Sequence, residues 1–226
     1  MEGNYPKILI GENRVQELVG KSPDYLPLVE NKTIDLHLIG PLQRNKINAV
    51  LATPISTIQS IDTFELANAI SERVLKSDLP WFRDAASGSA RLGSTGPTTD
   101  GVSSTDGALS VMLQVNVSGE ATKSGTDPER ALELASQIAE LSGLKLTGFM
   151  CLGLPPVIQD NEIINSEQIL AGYRILAEIR DATLNSGLET ATELSMGMST
   201  DLELAIAAGA TIVRVGTAIF GRRAYL

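Results

Sequence analysis

Glu193-Leu-Ser-Met-Gly-Met-Ser-Thr-Asp-Leu-Glu-Leu-Ala-Ile-Ala-Ala-Gly-Ala-Thr-Ile-Val-Arg-Val-Gly-Thr-Ala-Ile-Phe-Gly221 reads as turn, helix, strand, turn and helix start. Met196-Gly197-Met198 has the make-up of a tight, glycine-containing turn. Ser199 and Thr200 are N-cap candidates, and Asp201 and Glu203 put acids in the first turn, where they suit the helix dipole. Leu202 to Ala208 predicts a helix that Gly209 stops, and the β-branched run Thr211 to Val215 predicts a short strand. Gly216-Thr217 then leads into another helix start. Two strand ends, each followed by small residues and a helix N-terminus, thus fall one βα unit apart. First-turn N–H groups have no helical partner and carry partial positive charge, so two such ends side by side can hold a phosphate. In a (β/α)8 barrel the last two βα loops commonly make such a site.

The same alternation runs upstream. Apolar or β-branched strands are predicted at Lys7–Ile10, Thr33–Ile39, Ile55–Ile61, Leu109–Val117, Leu144–Leu152 and around Glu193–Ser195. Helical patterns lie between them: one after Asn13 that Pro23 and Pro27 should break, then Leu42–Leu51, a helix capped by Asp62 or Thr63 that runs to about Leu75, Pro128–Ser142 and Ser166–Ser186. Pro155-Pro156 starts a loop. Strands alternating with helices imply a parallel sheet with right-handed crossovers. With the final strand there are seven βα units, one fewer than a (β/α)8 TIM-type barrel requires. The expected organisation is therefore a single α/β barrel domain over residues 1–226, lacking one unit. It carries a Ser/Gly/Thr-rich insertion at about 76–108 that has no periodic apolar face.

Composition narrows the function classes. The chain has 226 residues, 43% of them hydrophobic, a net charge of −9 and a pI of about 4.7. Such a balance argues against non-specific binding to nucleic acid or to an anionic membrane. No apolar run approaches the ~20 residues of a spanning helix, and the first seven residues show no signal pattern, so the cytoplasm is expected. Cys151 is the only cysteine and His37 the only histidine, which excludes an intrachain disulfide, a multi-thiolate metal site and a multi-histidine one.

Several residues stand out against this background. Gly11-Glu12-Asn13 ends the first strand, either as a structural turn or facing a ligand. His37 lies inside an apolar strand, where a hydrogen-bonded core residue competes with a catalyst. Lys46 and Lys123 follow strand ends, where a lysine is either reactive or solvated. Cys151 reads as a buried, inert thiol. Arg214 is a charge in a strand of Thr, Ile and Val, and burying it without a partner would be costly, so a ligand role is expected.

Five motifs carry a family resemblance. They are Gly11-Glu-Asn-Arg-Val-Gln-Glu-Leu18, His37-Leu-Ile-Gly-Pro-Leu-Gln-Arg-Asn-Lys46, Gln114-Val-Asn-Val-Ser-Gly-Glu120 with Lys123-Ser-Gly125, Leu194-Ser-Met-Gly-Met-Ser199 and Val213-Arg-Val-Gly-Thr-Ala-Ile-Phe-Gly221. In this order, over nearly the whole chain, they resemble the YggS/PROSC family of pyridoxal 5′-phosphate (PLP) homeostasis proteins. The resemblance implies an alanine-racemase-like PLP barrel with no established catalytic activity, which buffers the cofactor or delivers it to PLP-dependent client enzymes. It implies that Ser199, Gly216 and Thr217 hold the phosphate, with Met196 and Gly197 in the same cofactor-binding motif. Arg214 would face the pyridine nitrogen and keep it unprotonated, weakening the ring as an electron sink. Asn13 and His37 would line the ring pocket.

The departures from the family pattern are also specific. The family's Schiff-base lysine lies at the end of a strand about twenty residues before the Gly-Glu-Asn turn, and this sequence starts ten residues before Gly11. The expectation is then of a family member truncated at its N-terminus, with PLP held weakly or non-covalently. Lys7 lies in a different strand and does not match that motif. Leu36 stands where the family often has tryptophan. Two further functions fit the residues: a barrel enzyme of aldolase or isomerase type acting on a small phosphorylated substrate, and an interaction protein without ligand.

Overall fold

The structure is a computed structural model and describes residues 8–77, 108–120, 123–160 and 162–221. Lys7 and most of the Ser/Gly/Thr-rich insertion, 78–107, lie outside the described residues. The chain divides into two compact units, Met1–Val111 with Ile138–Lys145 and Met112–Gln137 with Leu146–Leu226.

The first unit opens with β1 (Ile8–Glu12), α1 (Val15–Glu30), β2 (Ile34–Leu38), a 3-10 turn (Arg44–Lys46), α2 (Ile47–Leu51), β3 (Thr57–Ile61) and α3 (Phe64–Leu75). β1 and β2 pair in parallel from Ile8↔Ile34 to Glu12↔Leu38, and β2 pairs in parallel with β3 at His37↔Thr57. All five residues of β3 are buried, as expected of a strand covered on both faces. Its core contains Leu18, Leu36, Leu38, Ile47, Ile58, Ile61 and Ile70. Thr63, and not Asp62, caps α3, its side chain accepting from the Leu66 amide at 3.3 Å.

One expectation fails here. Pro23 and Pro27 do not break the helix that follows Asn13; α1 continues through both to Glu30. Each proline deprives the carbonyl four residues earlier of its helical donor. Both prolines are exposed, so water reaches those carbonyls, while Val15, Leu18 and Val29 bury the opposite face. Leu42–Leu51 is also less regular than its periodicity suggests, being a 3-10 turn followed by a short α-helix.

Next come β4 (Leu109–Val115), α4 (Pro128–Ala139), β5 (Leu144–Cys151), a hairpin of β6 (Ile158–Gln159) and β7 (Glu162–Ile163), α5 (Ser166–Asn185), β8 (Glu193–Met198), α6 (Leu202–Ala207), β9 (Ile212–Arg214) and α7 (Thr217–Phe220). The main sheet orders its strands β1-β2-β3-β4-β5-β8-β9, the seven expected from the sequence. β5–β8 and β8–β9 are parallel, in registers that include Met150↔Ser195 and Met198↔Arg214. The antiparallel hairpin lies where Pro155-Pro156 predicts a loop. Its strands have two residues each, too few for a period to show.

Candidate functional site

Three strands of the second unit meet at Arg214. Its Nη1 donates to the Ser195 carbonyl at 2.8 Å and to the Ser195 hydroxyl at 2.9 Å, and its Nη2 donates to the Cys151 carbonyl at 2.7 Å. The side chain thus reaches from β9 across β8 to β5. The planar fork of a guanidinium suits such a task, since it offers five donors in fixed directions. Burial lowers the Arg214 pKa from its ordinary value, yet an arginine remains charged at any ordinary pH. The three bonds leave Nε–H and one Nη2–H without a described acceptor.

The chain leaves β8 along an unusual path. Gly197 has φ +86°, and the β8–β9 ladder is irregular between Ser195 and Met198. A Cβ at Gly197 would overlap the Ala205 side chain, so glycine is required there both by backbone conformation and by space. Met196-Gly197-Met198 is therefore the last stretch of β8 and not a separate turn. The turn comes after it, at Met198–Asp201, where the Asp201 amide donates to the Met198 carbonyl at 3.1 Å.

Ser199 and Thr200 are not the N-caps of α6; Asp201 holds that position. The Asp201 side chain does not cap the helix. One oxygen accepts from the Met198 amide at 2.6 Å and the other from the Tyr173 hydroxyl at 2.7 Å. Those bonds tie the turn to the end of β8 and to α5, and the helix starts at Leu202 as expected. α6 then ends at Ala207, with Gly209 at φ +90° just beyond, as expected of a left-handed stop. β9 ends at Arg214, and α7 begins at Thr217 with Gly216 as N-cap.

The Met198↔Arg214 register places the turn Met198–Asp201 beside the loop Val215–Thr217. Ser199 is half-buried, and Gly216 and Thr217 are exposed. First-turn amides of α7 have no carbonyl within the helix to bind. Met196, Gly197, Ser199, Arg214, Gly216 and Thr217 thus all lie on β8, β9 or the loops leaving them. Nearby, Lys123 donates to the Gly153 carbonyl at 3.3 Å and pairs with Glu120 at 3.0 Å, so it is neither free nor fully solvated. Cys151 is buried, and burial pushes its thiol up to about 12.

In the first unit, His37 is 6% exposed and its Nδ1 lies 2.8 Å from Gln59 Nε2. The amide N–H donates, so the ring proton sits on Nε2. Burial lowers the His37 pKa to about 4. Asn13 is exposed, and a Cβ at Gly40 would overlap its carbonyl. With Arg14, Gln43 and Lys46 it lines a cleft of about 250 Å³. Next to it Glu12 is 5% exposed and accepts from Lys21 at 2.9 Å and from the Tyr25 hydroxyl at 2.6 Å.

The sequence reading missed the Tyr173–Asp201 contact. Tyr173 counted as one more apolar position of its helix and Asp201 as a first-turn acid. The available signal was that a tyrosine on a buried helix face must find a partner for its hydroxyl. Among the described residues no group of three or more His, Cys, Asp or Glu could hold a metal ion, and no helix is long and apolar enough to cross a membrane.

Residues 57–224 match the family described as alanine racemase, N-terminal domain. A pyridoxal phosphate homeostasis protein of Aquifex aeolicus is 34% identical over 215 residues, covering 95% of this chain and 77% of its own length. A protein of unknown function from Bifidobacterium adolescentis shares the fold with a TM-score of 0.74 at 36% identity, over 94% of this chain and 75% of that one. PipY of Synechococcus elongatus, solved with PLP bound, aligns with a TM-score of 0.63 at 26% identity, over 93% of this chain and 80% of its own. The expected α/β fold class, the TIM-type barrel of alanine racemase, is borne out by these matches together with the seven-strand order. Motifs, strand order and relatives agree: the chain belongs to the pyridoxal phosphate homeostasis protein family, within the alanine racemase N-terminal domain fold.

Proposed function

We propose that this chain binds pyridoxal 5′-phosphate at the C-terminal ends of β8 and β9 and serves intracellular PLP homeostasis. The observation that carries the reading is the Met198↔Arg214 register, which sets the small-residue turn after β8 beside the loop after β9. The donors fit the ligand. A phosphate dianion takes several N–H and O–H donors at once, and the loops offer the hydroxyls of Ser199 and Thr217 with the amides of Gly216 and Thr217. Met196 and Gly197 shape the approach. Arg214 has donors to spare, and a donor facing a pyridine nitrogen occupies the lone pair that would otherwise take a proton. Bound PLP would supply an aldehyde and an electron-withdrawing ring.

Arg214 would hold that ring in its least electron-withdrawing form. Such a site keeps the cofactor without driving chemistry on it, which suits a non-enzymatic carrier with PLP-dependent enzymes as clients. Asn13 and His37 remain proposed ring-pocket residues on the strength of the resemblance. His37, neutral and bonded to Gln59, is suited to packing and not to proton transfer near neutral pH.

Titration of the purified chain with PLP, followed by absorbance, tests the reading. Saturable binding is expected, weakened by Ser199→Ala and Thr217→Val. A chain that shows no saturable PLP binding overturns it.

A further inference from the structure

Tyr173 and Asp201 form the most deeply buried polar pair described in the second unit, at 1% and 2% exposure. They come from different elements, α5 and the turn before α6. A buried carboxylate normally needs a cation or several donors. The described hydrogen bonds to the Asp201 side chain come from neutral donors, a phenol and a backbone amide. Both of its oxygens are therefore engaged in shaping one turn. The Asp201 amide closes that turn from the other side by donating to the Met198 carbonyl, and the Asp201 carbonyl accepts from Ala205 to begin α6. Met198, Asp201 and the start of the helix are locked together, while no described bond engages the amides of Ser199 and Thr200.

Tyr173 is itself fixed. A Cβ added at Gly153 would lie 2.8 Å from its hydroxyl and 3.0 Å from its ring, so the chain leaving β5 rests directly on the phenol. On the same helix, Gly172 packs against Val117, the hypothetical Cβ being 3.3 Å from that side chain. The phenol is thus backed by the chain at Gly153, and its helix by Val117, before it meets Asp201.

We infer that Tyr173, acting through Asp201, is the positioning residue for the phosphate-binding turn, and that it gives the site its preference for phosphorylated over unphosphorylated pyridoxal. The inference rests on the PLP-binding reading above and extends it. Neither side chain is assigned to touch the ligand. Their effect is to hold the Met198–Asp201 turn in the one arrangement that presents Ser199 beside Gly216. A ligand lacking the phosphate gains nothing from that arrangement.

The test compares the full chain with Tyr173→Phe and Asp201→Asn, titrating each with PLP and with pyridoxal. Tyr173→Phe removes one hydroxyl without changing the packing. It should weaken PLP about tenfold, the worth of one hydrogen bond, and leave pyridoxal within about twofold. Asp201→Asn keeps an acceptor for the Met198 amide and should lose less. Amide exchange of the ligand-free wild type supplies a readout that needs no variant: the Met198 amide should be protected well beyond those of Ser199 and Thr200. A Tyr173→Phe chain that keeps the wild-type ratio of PLP to pyridoxal affinity overturns the positioning role and leaves PLP binding standing, as does an unprotected Met198 amide. A wild type that binds no PLP overturns both.

Discussion

The Arg214 guanidinium and the Cys151 carbonyl are 63 residues apart in sequence and 2.7 Å apart in space. With the two bonds to Ser195, this contact makes Arg214 a clamp on β5 and β8 as well as a candidate ligand-facing charge. Arg214→Ala removes three hydrogen bonds at the buried residues Ser195 and Cys151. It should lower stability by about 2–4 kcal/mol, read as a shift of the urea midpoint. Arg214→Lys restores the charge but not the fork, and should recover less than half of that loss.

His37 makes stability depend on pH. Its pKa is lowered from 6.5 to about 4 by burial, so the folded chain prefers the neutral ring. The unfolded chain therefore binds a proton that the folded chain refuses between pH 6.5 and 4. This contribution is present in full above pH 6.5 and is lost as pH falls from there toward 4. The loss approaches ~3 kcal/mol at the low end. Urea unfolding at pH 7.5 and 5.0 should show the wild type losing stability, and His37→Asn should flatten that slope. A wild-type imidazole that is already charged at pH 5.5 by NMR would contradict the burial argument.

Cys151 should behave as a hidden thiol. With its pKa pushed up to about 12 by burial, its thiolate fraction at pH 8 is about a thousandfold below that of a thiol at the ordinary value of 9.0. Alkylation of the native chain should be correspondingly slow and should become rapid in urea. Fast native labelling would show that the end of β5 opens to solvent.

Gly197→Ala probes the turn after β8. The residue has φ +86°, and its new methyl would meet Ala205. Backbone strain and overlap together should cost about 2–3 kcal/mol. Gly209→Ala, also at positive φ but with open space around it, should cost only the strain, about 1 kcal/mol. Thermal unfolding of the two variants gives the comparison directly.

Much of the architecture was legible along the chain. The seven strands follow from short runs rich in apolar and β-branched residues, and the polar residues buried in them, Gln59, Ser60 and Gln114, each have a hydrogen-bond partner. The helix stop at Gly209 and the cap at Thr63 are local chemistry, carried by one residue and its neighbours. The failures are equally instructive. Pro23 and Pro27 are tolerated because that face of α1 meets water, which no local rule reveals. Ser199 and Thr200 lose the cap position to Asp201 because the carboxylate has a distant partner, Tyr173, 28 residues away.

The sequence by itself determined the alternation of strands and helices, the small-residue loops after the last two strands and the family to which they belong. Those depend on side-chain size, branching and backbone freedom, which act within a few residues. Only the tertiary structure decided that Arg214 holds the carbonyls of Cys151 and Ser195, that Gln59 donates to the buried His37 ring, and that Tyr173 reaches Asp201. Each of these is a buried polar group finding its partner. Burial makes an unpaired group costly, but the identity of the partner depends on which distant strand or helix the fold brings alongside.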